Sequence, residues 1–472
     1  YQGIPYAAPP TGTRRWAPPA PAGPWQGTLD ATQPRAACPQ TGATPPAGRK
    51  SDTENCLFLN VTTPRKSSPT PRPVMVYLHG ADHTDGEGAM NHAERLAVQG
   101  DVIVVTVNYR LGALGYLAHP ALEKNGRGES GNYGFQDQQA ALRWVQRNAA
   151  AFGGDKHNVT LFGESAGGYS TCAHLVAPSS AGLFHRAITQ SAPCTEDVRT
   201  DRKRALAQGE KTTAAIEDDH DLEDWRKAAP TQLIHDFGTG PHYSPVYGGK
   251  LLPRSPQQAF ASGRFNKVPV LQGINRNEQR AMVYGLEQAK KHQTKDPHAT
   301  LDDADVRAHL EAVFGPKDAR TIAARYRSSA YDDTPALALA AALTDAQYAR
   351  PTADTARALS GQVPAYAYEF AESDNPWYAD PNYPKPSFPA GAGHTFELPY
   401  LFELEDFQPL NDTQQRLSST MIRIWSGFAR TGRADWKPST PGQLNAQALS
   451  STGTTPVDFA KEHDYGFWKS LD

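Results

Sequence analysis

The run Gly163-Glu164-Ser165-Ala166-Gly167, inside "NVTLFGESAGGYS", sets a serine between two glycines, directly after an apolar stretch and ahead of a small-residue helix start. G-x-S-x-G in a strand–turn–helix setting lifts a serine hydroxyl clear of a sheet. The glycines let the chain reverse tightly, and Ser165 Oγ is expected above a helix N-terminus, where the Ala166 N–H favours a developing oxyanion. A serine attacks a carbonyl only when a base takes its proton and an acid orients that base. The chemistry indicated is acyl transfer through serine. With 15 histidines and 50 acidic residues, residue type alone does not choose the partners. Their expected place is on loops leaving later strands. "VPVLQGINRNEQRAM" offers Glu278 and "FPAGAGHTFELPYLF" offers a glycine-flanked His394, with Asp302, Asp345 and His242 competing for the same roles.

A second stretch, "YLHGADHTDGEG" from Tyr77 to Gly88, turns through glycines at the end of an apolar run. Such a turn can aim backbone N–H groups at negative charge, because glycine permits conformations and close approaches that a Cβ forbids. Ala81 and Asp82 stand in its middle, and a carboxylate there is unexpected.

These residues need a scaffold, and short β-branched runs recur to provide one: "PVMVYLH", "VIVVTVNY", "NVTLFG", "FHRAITQS", "KVPVLQG" and "VPAYAYEF". They are continuously apolar, as parallel strands covered on both faces are. In "FQDQQAALRWVQRNAAAFGG", Leu142, Val145, Ala149 and Phe152 share one helical face, and Gly153-Gly154 offers a stop. The expectation is an α/β fold, a large mostly parallel central sheet with helices on both faces. Length gives a prior of about three domains. No linker or repeat divides the chain, so residues 1–472 are expected to form one domain, with helical excursions at about 195–260 and 280–345. The Pro-rich opening is expected to lie over the core as extended loop, anchored by Trp16 and Trp25.

Composition excludes other classes. The 472 residues carry a net charge of −3, with 39% hydrophobic and 21% charged residues. That balance gives no marked attraction to nucleic acid or an anionic membrane. No apolar stretch approaches the roughly 20 residues of a membrane span. The four cysteines show no metal or redox spacing and fall into two local pairs, Cys38 with Cys56 and Cys172 with Cys194. Two disulfides, each worth about 3 kcal/mol, and an oxidising compartment are expected. Of the sequons at Asn60, Asn158 and Asn411, Asn158 runs directly into a strand.

Ordered stretches along the whole chain resemble the type B carboxylesterases, the cholinesterase-like branch of the α/β hydrolases: "YQGIPYAAPPTGTRRWAPP", "TENCLFLNV", "VTVNYRLGALGYL", "NYGFQDQQAALRWVQRNAAAFGGDKHNVTLFGESAGG", "GLFHRAITQS", "GINRNEQ" and "GAGHTFELPYLF", with "FARTGRADW" and "EHDYGFW" echoing the C-terminal region. The resemblance implies an α/β-hydrolase fold and a secreted serine carboxylesterase acting on small-molecule esters without metal or cofactor. Ser165 would be the nucleophile, His394 the general base and then acid, and Glu278 the orienting acid. It makes the Cys38–Cys56 bridge familiar and Arg15–Glu54 a structural ion pair. The N-terminal hairpin usual before "YQGIPYAAPP" is absent, which suggests truncation of the sequence.

In that family the loop after the strand typically reads His-Gly-Gly-Gly and supplies oxyanion donors. His79-Gly80 and Gly86 with Gly88 fix the register, so Ala81 and Asp82 replace the second and third glycines. The oxyanion hole would comprise N–H groups at Gly80, Ala81, Asp82 and Ala166. An Asp82 carboxylate about 5 Å from the oxyanion would oppose it by about 3 kcal/mol at an effective dielectric of 20, comparable to losing one donor. Asp82 is therefore expected to point away, toward His83 or His92, in a working but slow or selective esterase. Trp377, Tyr378, Tyr383 and Phe388 are expected near the substrate gorge. The competing reading is a catalytically impaired, ligand- or protein-binding member of the same fold.

Overall fold

The computed structural model describes residues 1–42, 49–124, 128–196, 201–214, 222–238 and 243–471. Among them ten strands form one sheet: β1 (Ile4–Pro5), β2 (Phe58–Thr62), β3 (Arg72–Leu78), β4 (Ile103–Val107), β5 (Gly154–Glu164), β6 (Arg186–Gln190), β7 (Val270–Asn275), β8 (Ala365–Phe370), β9 (Ala446–Ser450) and β10 (Gly453–Val457). The order is β1-β2-β4-β3-β5-β6-β7-β8-β9-β10. Strands β3 to β9 run parallel to their mutual neighbours, while β1, β2 and β10 pair antiparallel at the two edges. Every residue of β3, β4, β7 and β8 is buried, which is why those runs are apolar without alternation.

Register decides where chemistry gathers. Leu78 pairs with Gly163, Gly163 with Thr189, and Gln190 with Gly273. The carboxyl ends of β3, β5, β6 and β7 are thus level, and the loops after them leave from one edge. In open parallel sheets that edge is where ligands bind.

The helix Tyr133–Asn148 buries Leu142 and Val145, and Gly153 at φ 79° ends the turn that follows it. Its Asp137 is bridged by Arg110 through Nε and Nη2, both at 2.7 Å, within the core. Arg15 holds Glu54 at 2.7 Å as expected. Helices occupy both excursions, including Arg202–Ala214 and Pro230–Phe237 in the first. In the second, Arg280–Thr294, Asp303–Arg325 and Pro335–Thr344 gather an apolar cluster of Val283, Leu310, Ile322 and Leu343. The disulfides Cys38–Cys56 and Cys172–Cys194 are both formed.

Two expectations are corrected. Trp16 is an anchor, 1% exposed and donating its indole N–H to Ala113 O at 2.9 Å, but Trp25 is 51% exposed and makes no hydrogen bond or ring contact among the described residues. Phe388 packs with the apolar cluster of the second excursion and does not line the cavity that the other three aromatic residues named with it share.

Candidate active site

Strand β5 ends at Glu164, and Ser165 reverses the chain at φ 52°, ψ −123° before the helix Ala166–Val176 begins. Such a conformation is costly for a residue with a Cβ and survives only where its surroundings enforce it. Here the neighbours must be glycine: a Cβ on Gly163 would lie 2.4 Å from Gly167 C, and one on Gly167 would lie 1.9 Å from Leu78 O. Ser165 N–H donates to Gln190 O at 2.9 Å, which fastens the turn to β6.

The loop after β3 lies directly against this turn. A Cβ on Gly80 would come within 3.2 Å of Ser165 Cβ and 2.7 Å of Glu164 Oε2. Ala81, Asp82 and His83 follow at φ 66°, 53° and 58°, three consecutive left-handed residues that all carry side chains. The N–H groups of Gly80, Ala81 and Asp82 donate to no other described protein group, whereas those of Thr84 and Asp85 both bond Ala81 O at 3.1 Å. The Asp82 side chain is exposed, and the expected contacts with His83 or His92 are not made. His83 Nε2 is engaged with Ser170 Oγ at 2.9 Å, and His92 faces Glu405 at 3.6 Å.

The acid and the histidine meet beyond β7. Glu278, fully buried, accepts from Asn275 N–H at 2.8 Å through Oε1, and its Oε2 lies 2.6 Å from His394 Nδ1. His394 N–H also donates to Glu278 O at 3.2 Å. A second buried carboxylate steadies the loop: Glu397 accepts from Gln190 Nε2 at 3.0 Å and from Asn275 Nδ2 at 2.7 Å. Asn275 Nδ2 reaches Gly393 O as well. The His394 ring, 22% exposed, turns its Nε2 toward Glu164 Oε1 at 3.3 Å and makes no hydrogen bond with Ser165 Oγ.

Electrostatics follow from this crowding. Burial pulls the His394 imidazolium down, but Glu164 and then Glu278 overcome it and push it up to about 10. Glu164 is itself held well above the carboxylate range, by burial first. Each shift favours a protonated group, and the facing Glu164 charge is the largest influence raising His394.

The competitors sit elsewhere. Asp302 caps the helix Asp303–Arg325, and Asp345 is bonded to Tyr326 Oη and His463 Nδ1. His242 lies outside the described residues. Sequence reasoning missed Tyr348, whose ring centroid is 5.7 Å from that of His394 on the π-helical turn Asp345–Ala349, and the contact of Glu164 with His394. Only the position of Glu164 beside Ser165 could have signalled the latter. Trp377, Tyr378 and Tyr383 do line a cavity beside the His394 loop, together with Tyr284 and Phe396.

The sequence profile of the carboxylesterase family matches residues 1–468. The chain is 33% identical to the para-nitrobenzyl esterase of Bacillus subtilis (strain 168), over 92% of this chain and 86% of that protein. It is 31% identical to the cocaine esterase of Oryctolagus cuniculus, over 92% and 85%. A fumonisin B1 esterase of Sphingopyxis macrogoltabida is 37% identical over 67% of this chain and 57% of its own length. A solved PNB esterase superposes with a TM-score of 0.78 at 30% identity, covering 99% of this chain and 95% of its own. The chain belongs to the carboxylesterase family, and it is a carboxylic ester hydrolase with the α/β-hydrolase fold.

Proposed function

We propose that hydrolysis proceeds through an acyl-enzyme on Ser165, with His394 as base and acid and Glu278 as its orienting partner. The 2.6 Å contact between Glu278 and His394 Nδ1, beside a serine held in a strained turn, carries this reading. In the neutral imidazole, Nδ1–H donates to Glu278 and leaves Nε2 as the acceptor. Entry of an ester draws Nε2 from Glu164 to Ser165 Oγ; hydrogen bonds of this kind commonly tighten only with substrate bound. Oγ bonds to the carbonyl carbon as its proton passes to Nε2. The N–H groups of Gly80, Ala81, Asp82 and Ala166 are the proposed donors to the resulting oxyanion, since the three loop groups have no partner among the described residues. Collapse of the intermediate expels the alcohol, which takes the proton from Nε2. Water then repeats the sequence and releases the acid.

The small-molecule ester itself and its chain length are left to a substrate panel. The two disulfides support a place outside the reducing cytosol, which fractionation of the native host checks. The test of the mechanism is a burst of para-nitrophenol from para-nitrophenyl acetate, one equivalent per chain, absent in Ser165→Ala. Turnover retained by Ser165→Ala would overturn the assignment, and no burst or turnover from the unmodified protein would favour the binding-protein reading.

A further inference from the structure

Beside the loop that carries His394 lies a cavity of about 630 Å³, within the range of sites for small organic molecules. Arg280, Tyr284, Trp377, Tyr378, Tyr383 and Phe396 line it. The aromatic rings meet edge to face: Trp377 stands 5.7 Å from Tyr284 at 89° and 5.7 Å from Phe396 at 90°. Such walls present ring edges and faces to an aromatic guest.

Arg280 is the unusual member. Its Nη1 donates to Pro389 O at 2.8 Å, and no carboxylate of the described residues pairs with the guanidinium. Asp380, the acidic residue in the wall, is exposed and accepts the N–H of Asn382 at 2.8 Å. Burial lowers the pKa of Arg280, and no neighbouring charge restores it. A half-buried cation with spare N–H donors in an aromatic pocket is complementary to a planar anion, which it can hold through two parallel hydrogen bonds.

The cavity is walled by residues of the loops that carry Glu278 and His394. Arg280 follows Glu278 by two residues, and Gly393 in the cavity wall precedes His394. Burial chiefly pushes Tyr378 up to about 12, against a hydrogen bond with Thr395, the residue next to His394.

We propose that this cavity takes the aromatic, carboxylate-bearing portion of an ester whose scissile carbonyl lies at Ser165, with Arg280 holding the carboxylate. The proposal rests on the esterase reading above and adds a substrate class to it. The probe substrates are para-(acetoxymethyl)benzoate and its neutral counterpart para-(acetoxymethyl)benzamide. The unmodified enzyme should prefer the benzoate in kcat/KM. Arg280→Gln should lower the benzoate-to-benzamide ratio about tenfold or more, the loss of a charge-assisted hydrogen bond, and Arg280→Lys should restore part of it. A ratio that is the same with and without the guanidinium overturns the proposal.

Two further measurements keep this independent of folding and of turnover. In the unmodified enzyme, para-(hydroxymethyl)benzoate should inhibit para-nitrophenyl acetate hydrolysis more strongly than para-(hydroxymethyl)benzamide; equal inhibition counts against the site. Should no ester be turned over, the esterase reading fails by itself, and calorimetry with para-(hydroxymethyl)benzoate decides the cavity. Binding to Ser165→Ala that weakens in Ser165→Ala/Arg280→Gln upholds it, and binding indifferent to Arg280 overturns it.

Discussion

Replacing Glu164 by glutamine should move the acidic limb of the pH–rate profile to lower pH. His394 Nε2 lies 3.3 Å from Glu164 Oε1, where two opposite unit charges at an effective dielectric of 20 attract by about 5 kcal/mol. That is equivalent to about three to four pKa units, the size of the rise that carries His394 to about 10 against burial. An imidazolium cannot accept the Ser165 proton, so kcat/KM falls as pH drops through the pKa of His394, and a raised pKa places that fall at high pH. Glutamine has nearly the same shape but no charge, so only Glu278 and the more distant Glu397 remain to favour the imidazolium. Because burial holds the Glu164 carboxyl well above the carboxylate range, its charge acts at less than full strength and the expected displacement is smaller than the full pair energy, about two units. The assay is kcat/KM for para-nitrophenyl acetate from about pH 5 to about pH 10, corrected for spontaneous hydrolysis. Both proteins are first checked for identical circular dichroism. Superimposable limbs would refute the claim that Glu164 sets the basicity of His394.

Three other perturbations have calculable outcomes. Gly80→Ala puts a methyl 2.7 Å from Glu164 Oε2 and 3.2 Å from Ser165 Cβ, so the loop must shift. Its kcat should fall about a hundredfold or more, the cost of misplacing an oxyanion donor, and undiminished kcat would contradict the placement of this loop. Asp82→Gly relieves a left-handed residue at φ 53° whose side chain makes no hydrogen bond among the described residues, and calorimetry should show about 1 kcal/mol of added stability. A lower melting temperature would mean that Asp82 has a structural partner. Removing Cys172 and Cys194 together frees a 22-residue separation between the helix after Ser165 and the segment after β6. About 3 kcal/mol of stability should be lost in denaturant unfolding, and an unchanged midpoint would show the bridge to be incidental.

The sequence revealed much of the scaffold because parallel strands covered on both faces have a distinctive composition. Runs such as "PVMVYLH" and "VIVVTVNY" became β3 and β4 with shifts of a residue or two at their ends. The edge strands did not announce themselves. In β2 buried residues alternate with half-buried ones, and β9, "AQALS", has little β-branched character, so neither resembles a core strand. Ser165 was legible because the elbow is a local device, whereas Glu278 and His394, 116 residues apart, meet only through the register of β7 and the loop beyond β8. Resemblance supplied that pairing; periodicity did not. The orientation of His394 Nε2 toward Glu164, the Tyr348 ring and the Arg280 cavity all depend on side chains converging from distant segments. No spacing rule reports such contacts. Asp82 shows the same limit from the other side: its anomaly was visible in the sequence, but the contact of His83 with Ser170 was not.

A crystal structure of the protein after reaction with a small organophosphonate, which mimics the tetrahedral oxyanion, tests the central geometry most directly. Phosphorus bonded to Ser165 Oγ, its oxygen facing the N–H groups of the Gly80–Asp82 loop, and His394 Nε2 moved from Glu164 to within about 3 Å of the Ser165 Oγ are the predicted result. A protein that takes up no phosphonate, or an adduct in which Nε2 stays on Glu164 beyond hydrogen-bond reach of residue 165, would contradict the account.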